Sequence, residues 1–204
     1  MAGMNIWFAT NNAHKKRELQ AILGTSLKIP AEEGIEFDPE ETGTTFRENA
    51  LIKARELKKL LGERGDPVIA DDSGLCADGL DGRPGVFSAR YGETNGKKLT
   101  SPQQNLLLLE ELGGNPKRSA RFVCAMVLLF DNDRFFLVQE TLEGEIINSR
   151  ELPRGDGGFG YDPIFLLPRF GRTLAELSEE EKNGLSHRGK AGRHIANILR
   201  NLAT

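Results

Sequence analysis

The sequence is poor in cysteine, with only Cys76 and Cys124 among its 204 residues. Small secreted domains are held together by a dense set of disulfides, which two cysteines between apolar or small neighbours cannot form. The N-terminus also lacks the successive basic, apolar and small-residue regions of a secretory signal peptide. We therefore expect a protein of the reducing cytoplasm.

Long apolar runs and an excess of positive charge are absent as well. No stretch approaches the roughly 20 apolar residues of a membrane span, so we expect no membrane partner. The formal net charge is -3, whereas broad nucleic-acid binding needs a surplus of Lys and Arg, so we expect no nucleic-acid partner. The charge balance still allows a small basic pocket that holds phosphates.

The hydrophobic pattern predicts a mixed α/β fold, in one domain or two closely joined lobes. Capping boxes, in which a Ser or Thr and a Glu three residues later satisfy exposed backbone N–H groups, mark helix starts at Thr45 and Ser178. Helices are predicted at 13–23, from Thr45 until Gly62, at 103–112, and after Ser178 and Ser186. Strands are predicted at 5–10, 27–29, 68–70, 120–130, 134–145 and 163–167, the two longest forming a hairpin.

Four carboxylates form the first candidate site. Asp71 and Asp72 follow the predicted strand 68–70, and Glu40 and Glu41 lie in an irregular acidic segment. Gathered carboxylates repel one another unless a cation neutralises them, and hard oxygen ligands favour Mg²⁺. Such a metal can polarise a phosphoryl oxygen, while a neighbouring carboxylate can take a proton from an attacking water. Two plainer interpretations stay open: 71–74 caps a turn after the strand, and the Glu40–Glu41 loop is simply solvated.

The segment between the first strand and the first helix is a candidate phosphate-binding loop. Free N–H groups and the helix dipole favour an anion there, and its hydroxyl, amide and ammonium groups are further donors. The Walker pattern G-x-x-x-x-G-K-[ST] occurs nowhere in the chain. A helix cap at Asn12 followed by a solvated basic face, and a solvated lysine at position 53, are the alternatives. The candidate residues are Thr10, Asn11, Asn12, Ala13, His14, Lys15 and Lys53.

A glycine-rich segment at 155–162 is a candidate base-binding loop. Glycines let a backbone approach a ligand closely, and an aromatic ring between them offers a stacking surface. Lys and Arg donate but do not accept hydrogen bonds, so they suit the 6-oxo group of hypoxanthine or xanthine and mismatch the 6-amino group of adenine. A tight hairpin with buried aromatics, and a histidine that merely follows a helix cap, are the alternatives. The candidates are Phe159, Gly160, Tyr161, Asp162, Lys182, His187 and Arg188.

Together these segments resemble, over nearly the whole chain and in the same order, the inosine triphosphate pyrophosphatases, also called dITP/XTP pyrophosphatases. Each motif is weak alone, but eight in register are highly specific. The matching segments are 10–15, Glu40-Glu41-Thr42-Gly43, Thr45-Phe46-x-Glu48-Asn49-Ala50, Lys53-Ala54, Asp71-Asp72-Ser73-Gly74-Leu75, Pro84-Gly85-Val86-Phe87-Ser88-Ala89-Arg90-Tyr91, Gly158-Phe159-Gly160-Tyr161-Asp162-Pro163-Ile164-Phe165 and Ser186-His187-Arg188-Gly189.

The resemblance implies a reaction and a role for each candidate residue. The family hydrolyses ITP, dITP and XTP to the monophosphate and pyrophosphate, which keeps these nucleotides out of DNA and RNA. It is homodimeric, with a long central β-sheet flanked by the helices of two lobes and the nucleotide in the cleft between them, so we expect a single two-lobed domain over residues 1–204. By resemblance, Asp72 is the proton acceptor and a Mg²⁺ ligand, Glu40 is a further metal residue, and Ser73 touches the substrate. The segment 10–15 and Lys53 hold the triphosphate, and Phe159 to Asp162, Lys182, His187 and Arg188 recognise the base.

One departure from the family pattern and two rival functions accompany this interpretation. Asn11 stands where the family usually has a small residue; if the backbone there is left-handed, Asn tolerates it better than most residues. A related pyrophosphatase family prefers modified pyrimidine triphosphates, against which Phe159 and the Ser186–Gly189 segment argue. A nucleotide- or RNA-binding module without turnover is the other alternative, and clustered carboxylates argue against it.

Overall fold

The computed structural model describes residues 5–62, 65–132, 134–148 and 152–202. None of the helices in these ranges is long and apolar enough to cross a bilayer. The helices are α1 (Ala13–Leu23), α2 (Phe46–Leu61), α3 (Ser101–Leu112), α4 (Glu179–Leu185) and α5 (His187–Leu202). The strands are β1 (Trp7–Phe8), β2 (Val68–Ala77), β3 (Ser119–Leu129), β4 (Phe135–Ile146), β5 (Phe165–Leu167) and β6 (Arg172–Thr173).

The six strands form one mixed sheet in the order β1-β2-β3-β4-β5-β6. β1 is parallel to β2, whereas β4 pairs antiparallel with β5 and β5 with β6. β3 and β4 are neighbours in the sheet, and beyond their ends the Phe130 N–H donates to the Arg134 carbonyl at 3.0 Å. The predicted α/β fold and the long hairpin are therefore confirmed.

Backbone contacts divide the chain into two compact units. Unit 1 comprises the described residues up to Asp72, Cys124–Glu140 and those from His187 onward. Unit 2 comprises Ser73–Val123 and Thr141–Ser186. Strands β2, β3 and β4 contribute residues to both units. The single domain over residues 1–204 stays a prediction.

Unit 1 has its core where α1 and α5 cover the first three strands. Leu19 of α1 and Ile195 of α5 are fully buried with Phe8, Ile69 and Met126 from the strands. Such burial of apolar side chains is the main source of stability, at about 25 cal/mol per Å² removed from water. This core fixes the helices whose polar residues are described below.

Unit 2 has a separate core beneath α3. Leu108 and Leu112 of α3 pack in one cluster with Leu75, Ile146 and Phe165. The ring of Phe122 lies 4.7 Å from that of Phe165, centroid to centroid. This core supports the glycine-rich segment that precedes β5.

Helix starts follow the predicted caps, because a cap is a local interaction. The Thr45 hydroxyl accepts the Glu48 N–H at 3.2 Å, while the Glu48 carboxylate accepts the Thr45 N–H at 3.0 Å. Ser178 and Glu181 form the same reciprocal pair before α4. Both capping boxes are confirmed.

The observed strands differ from the predicted ones: β1 comprises Trp7–Phe8 of the predicted 5–10, β5 begins at Phe165, and β6 was not predicted. Two further differences concern the segment 27–29 and β2. The segment 27–29 makes only an isolated bridge, between Lys28 and Trp7. β2 does not end at Ala70 but continues to Ala77, so Asp71 and Asp72 lie inside a strand rather than in a turn. Asp, Ser and Gly are turn formers in isolation, and pairing with neighbouring elements overrides that preference here.

A glycine on β4 provides a test of this packing. A Cβ at Gly144 would lie 2.6 Å from the Leu166 carbonyl oxygen, which belongs to the paired backbone of β5. We expect Gly144→Ala to lower the free energy of unfolding by about 1–3 kcal/mol, because the strand must shift. Gly114→Ala, where a Cβ meets no atom within 4 Å, is the matched control. Urea unfolding that gives equal stabilities for the two variants would contradict the described pairing.

Candidate active site

Two adjacent aspartates on β2 organise the polar residues of unit 1. Successive side chains of a strand point to opposite faces of the sheet. Asp71 contacts Lys15 of α1 and Arg188 of α5, whereas Asp72 contacts Lys53 of α2. The two carboxylates therefore belong to two separate ionic clusters.

The Asp71 cluster is a buried network of two anions and two cations. The Asp71 carboxylate lies 3.0 Å from Lys15 Nζ and 3.2 Å from Arg188 Nη2. Arg188 Nη1 in turn lies 2.6 Å from the Glu18 carboxylate. The Cys124 thiol, buried on β3, is 3.9 Å from Asp71 Oδ2. Because charge is balanced inside the cluster, these side chains can stay ionised in an apolar setting.

The charges around Asp71 keep it ionised. Burial alone would raise the pKa of the Asp71 carboxyl, but Lys15 and Arg188 outweigh burial and hold that pKa well below its usual range. Burial likewise opposes the charge of Arg188, yet Asp71 and Glu18 raise the pKa of its guanidinium above the ordinary value. A carboxylate held in this way is a poor proton acceptor and a good electrostatic anchor.

The Asp72 cluster has the opposite effect on its carboxyl group. Lys53 Nζ lies 2.9 Å from Asp72 Oδ1 and 2.9 Å from Glu41 Oε1, and Asn49 Nδ2 donates to Asp72 Oδ2 at 3.3 Å. Burial raises the pKa of Asp72, and Glu41 adds to the rise although Lys53 opposes it. Lys53 itself stays charged, because the surrounding carboxylates outweigh its burial and raise its pKa. A carboxylate with a raised pKa is the better general base near neutral pH.

The acidic loop contributes Glu41 to this cluster. Glu41 is half-buried and shares the Lys53 ammonium with Asp72, whereas the neighbouring Glu40 is exposed. The metal role of Glu40 stays a prediction, since no contact described here tests it. Glu41 lies next to Glu40 within the same motif, but nothing in the sequence shows which of the two turns towards Lys53.

The carboxylates of this cluster suit a hard cation. Mg²⁺ is usually held by one or two carboxylates together with substrate phosphates, rather than by a complete protein cage. Asp72 and Glu41 meet this requirement, because both lie at hydrogen-bond distance from one ammonium group. Within the described ranges, no group of three His, Cys, Asp or Glu side chains forms a ready-made metal centre.

The loop before α1 combines a helix cap with one half-buried cation. The Asn12 side chain caps α1 by accepting the N–H groups of His14 and Lys15, so the helix-cap interpretation of Asn12 is confirmed. Lys15, however, forms a salt bridge with Asp71 and does not lie on a solvated face. The Thr10 hydroxyl accepts the Asn12 N–H at 3.1 Å, while Ala13 and His14 are exposed.

The backbone at Asn11 is ordinary. Among the described non-glycine residues, positive φ angles occur at Asp81 and Asn95, so Asn11 does not adopt the left-handed conformation considered from its sequence. Its side-chain amide donates to the Phe37 carbonyl at 2.6 Å. Asn11 therefore ties the loop to the segment that leads into the acidic residues.

Unit 2 contains a second cluster, built on the predicted base-binding loop. Lys182 Nζ lies 2.8 Å from Asp162 Oδ2 and 4.8 Å from the centre of the Phe159 ring. The same Asp162 oxygen accepts the Phe159 N–H at 2.8 Å. Gly158 precedes this turn with φ +69°, and a Cβ there would lie 2.0 Å from Asp162 Oδ2, so only glycine fits.

The loop is also anchored through Tyr161. Its hydroxyl donates to the Ser88 carbonyl at 2.9 Å, and burial raises the pKa of that hydroxyl above its ordinary value. Tyr161 is buried while Phe159 and Gly160 are half-buried. The alternative that the aromatics turn into the core therefore describes Tyr161 but not Phe159.

The remaining predicted residues are distributed between the two units. Ser73 is half-buried and follows Asp72 in β2. His187 and Arg188 are buried in the first turn of α5, in unit 1, whereas Phe159 to Asp162 and Lys182 belong to unit 2. Arg188, which is predicted to recognise the base, forms a salt bridge with Asp71, as Lys15 does. Its role in base recognition stays a prediction.

Comparison with known sequences matches residues 6–198 to the Ham1 family. The chain belongs to the Ham1 family. Its relatives include a dITP/XTP pyrophosphatase of Treponema denticola, 51% identical over 97% of this chain and 99% of the relative. The resemblance inferred from the motifs is thus confirmed.

Solved Ham1 structures share the fold. The Staphylococcus aureus Ham1 protein superposes with a TM-score of 0.82 at 36% identity, over 97% of this chain and 98% of the other. A Ham1 protein from Coxiella burnetii gives a TM-score of 0.81 at 39% identity, over 98% of this chain and 100% of the other. The Ham1 match spans every candidate residue from Thr10 to Arg188.

Replacement of Asp71 and of Asp72 by the neutral Asn should have different effects on the stability of the fold. Asp71 has a lowered pKa, so its charge stabilises the fold above the unfolded value of 3.8 and that contribution is lost as pH falls towards the folded value. Asp71→Asn leaves buried cations uncompensated, and we expect a loss of about 3 kcal/mol at neutral pH. Asp72 has a raised pKa, so its ionisation costs stability and Asp72→Asn should leave the melting temperature unchanged or higher.

Thermal unfolding of both variants at pH 7 and at pH 3, below the unfolded aspartate value of 3.8, checks this expectation. For a chain of this size the Asp71→Asn loss corresponds to a melting temperature lower by about 10 °C. The difference between the melting temperatures of the two variants should become smaller at the lower pH, because wild-type Asp71 then loses part of its contribution to stability. Equal losses at pH 7, or a greater loss for Asp72→Asn, would contradict the two-cluster description.

Proposed function

We propose that this chain hydrolyses non-standard purine nucleoside triphosphates, namely ITP, dITP and XTP, to the monophosphate and pyrophosphate. The observation that carries the proposal is the full-length 51% identity to a dITP/XTP pyrophosphatase. The Asp72 cluster supports it, because a buried carboxyl with a raised pKa beside a charged lysine suits metal-assisted hydrolysis.

Asp72 acts as the general base in this reaction. A water oxygen bonds to the α-phosphorus, the bond from that phosphorus to the α–β bridging oxygen breaks, and pyrophosphate leaves with the bond electrons. Asp72 takes the proton that the water loses. Asn49, itself held by the Gly43 N–H at 2.8 Å, orients the Asp72 carboxylate. Positioning and charge neutralisation supply most of the catalysis in such transfers.

The cations of unit 1 neutralise the triphosphate. Lys53 is already beside Asp72 and Glu41, and Lys15 is held near the start of α1 by Asp71. Asp72 and an acid of the Glu40–Glu41 pair, Glu40 by the family resemblance, would hold a Mg²⁺ ion, which would supply further positive charge at the phosphates. The side chains of Thr10 and Asn11, together with the loop backbone, add further hydrogen-bonding groups.

The base-binding loop of unit 2 selects the base of the substrate. The Phe159 ring offers a stacking surface, and Lys182 donates to a 6-oxo group but meets the 6-amino group of adenine donor to donor. The Asp162 carboxylate positions both residues, because it accepts hydrogen bonds from the Lys182 ammonium and from the Phe159 N–H. The family resemblance also assigns His187 and Arg188 to base recognition.

The assembly and location of the protein complete the proposal. We infer a cytoplasmic homodimer without nucleic-acid partners, in line with the family resemblance.

Product analysis tests the function. Incubation with ITP, dITP, XTP, ATP and a panel of modified pyrimidine triphosphates should release pyrophosphate fastest from the first three, and only with Mg²⁺. Asp72→Asn should lower kcat by about 10²-fold or more, since a general base contributes roughly that factor. Wild-type kcat/KM should fall on acidification through a pKa above that of an ordinary aspartate, because protonated Asp72 cannot accept the proton.

Three results would contradict the assignment in different ways. Orthophosphate as the product would contradict cleavage of the α–β bond. A preference for pyrimidine substrates would favour the related family, and binding of ITP without turnover would favour a binding module. Full activity of Asp72→Asn would exclude the assigned base.

A further inference from the structure

Two consecutive amide side chains on α3 are buried although their helix is largely apolar. Gln104 is 6% and Asn105 3% exposed. Burying an amide costs free energy unless its N–H groups find acceptors. Both amides direct their N–H groups to backbone carbonyls of loops, not to other side chains.

The two amides hold two different segments of unit 2. Gln104 Nε2 donates to the Tyr91 carbonyl at 3.2 Å, at the end of the short helix Gly85–Arg90. Asn105 Nδ2 donates to the Gly160 carbonyl at 3.1 Å. The Tyr161–Ser88 hydrogen bond joins the same two segments directly. α3 thus fixes the base-binding loop against a second loop.

Gly160 lies at the centre of the base-binding loop. It has φ +64° and separates Phe159 from Tyr161. The Asp162 carboxylate accepts the Phe159 N–H and pairs with the Lys182 ammonium. The hydrogen bond from Asn105 to the Gly160 carbonyl is a further, independent restraint on the residue that follows Phe159.

We propose that Asn105 is a positioning residue for base selection. By fixing the Gly160 carbonyl, it sets where the Phe159 ring and the Lys182 ammonium meet the base. This inference rests on the proposed function, because it requires that residues 158–162 contact the base. Asn105 itself touches no substrate atom.

The side-chain oxygen of Asn105 allows a role in base selection to be separated from a role in the stability of the fold. Asn105 Oδ1 is buried and has no hydrogen-bond partner among the described residues. Leucine has the same number of side-chain heavy atoms with the same branching, so Asn105→Leu removes one hydrogen bond and at the same time one unsatisfied buried acceptor. The Gly160 carbonyl is only part-buried, and water can replace the lost donor. The fold should therefore tolerate leucine while the loop loses its restraint.

The experiment compares kcat and KM for ITP and for ATP in wild type, Asn105→Leu and Asn105→Asp. Glu110→Gln, an exposed change on the same helix, is the control. We expect Asn105→Leu to lower the ITP-over-ATP ratio of kcat/KM by about three- to tenfold, the range of one hydrogen bond, mainly through a higher KM for ITP. Asn105→Asp should lower it further, because it turns an oxygen towards the Gly160 carbonyl. The melting temperature of Asn105→Leu should stay within a few degrees of wild type.

Distinct results would overturn the inference. An unchanged ratio in folded Asn105→Leu, including equal rate losses on ITP and ATP, would show that Asn105 does not govern selection. A leucine variant that fails to fold would make Asn105 a structural residue and also contradict the proposal. A wild-type enzyme without preference for ITP would instead contradict the proposed function, and the role of Asn105 with it.

Discussion

The structure of unit 1 depends on the neutralisation of two adjacent buried aspartates by the chain's own cations. Asp71 and Asp72 are 1% and 6% exposed, and burying such groups as isolated charges would cost several kcal/mol each. Lys15, Lys53 and Arg188 come from three different helices to meet them. Helix placement around β2 is therefore an electrostatic requirement as well as a hydrophobic one.

The two aspartates differ because their partners differ. Asp71 faces two cations and stays ionised, whereas Asp72 shares its single lysine with Glu41 and has a raised pKa. One carboxylate thereby anchors cations near the start of α1, and the other is available for proton transfer. Pairs of carboxylates whose pKa values are pushed apart mark division of roles in many enzymes.

Local signals in the sequence predicted local structure well. The caps at Thr45, Ser178 and Asn12 depend on residues two or three positions apart, and all three form. The extension of β2 past Ala70 could not be predicted, because Asp, Ser and Gly favour turns and only distant cations make a strand possible there. The family motifs named Lys53 and Asp72, but their contact spans 19 positions and has no local signature.

Contacts between residues far apart in the chain could not be predicted, for the same reason. Glu41 and Glu40 are equivalent in sequence, and only the fold turns Glu41 towards Lys53. Asn105 reads as a polar residue that precedes a run of four leucines in a helix, and its contact with Gly160 spans 55 positions. By contrast, the glycine-rich loop around Phe159 was predicted, because glycines next to an aromatic ring are visible in the sequence itself.

The most direct test of this account is the titration of the two carboxyl groups. The carboxyl carbon resonances of Asp71 and Asp72 can be followed by NMR against pH, with each Asp→Asn variant giving the assignment. We expect Asp72 to titrate above the ordinary aspartate value of 3.8, while Asp71 remains ionised as pH falls below it. The reverse order, or two aspartates that titrate together near the ordinary value, would contradict it.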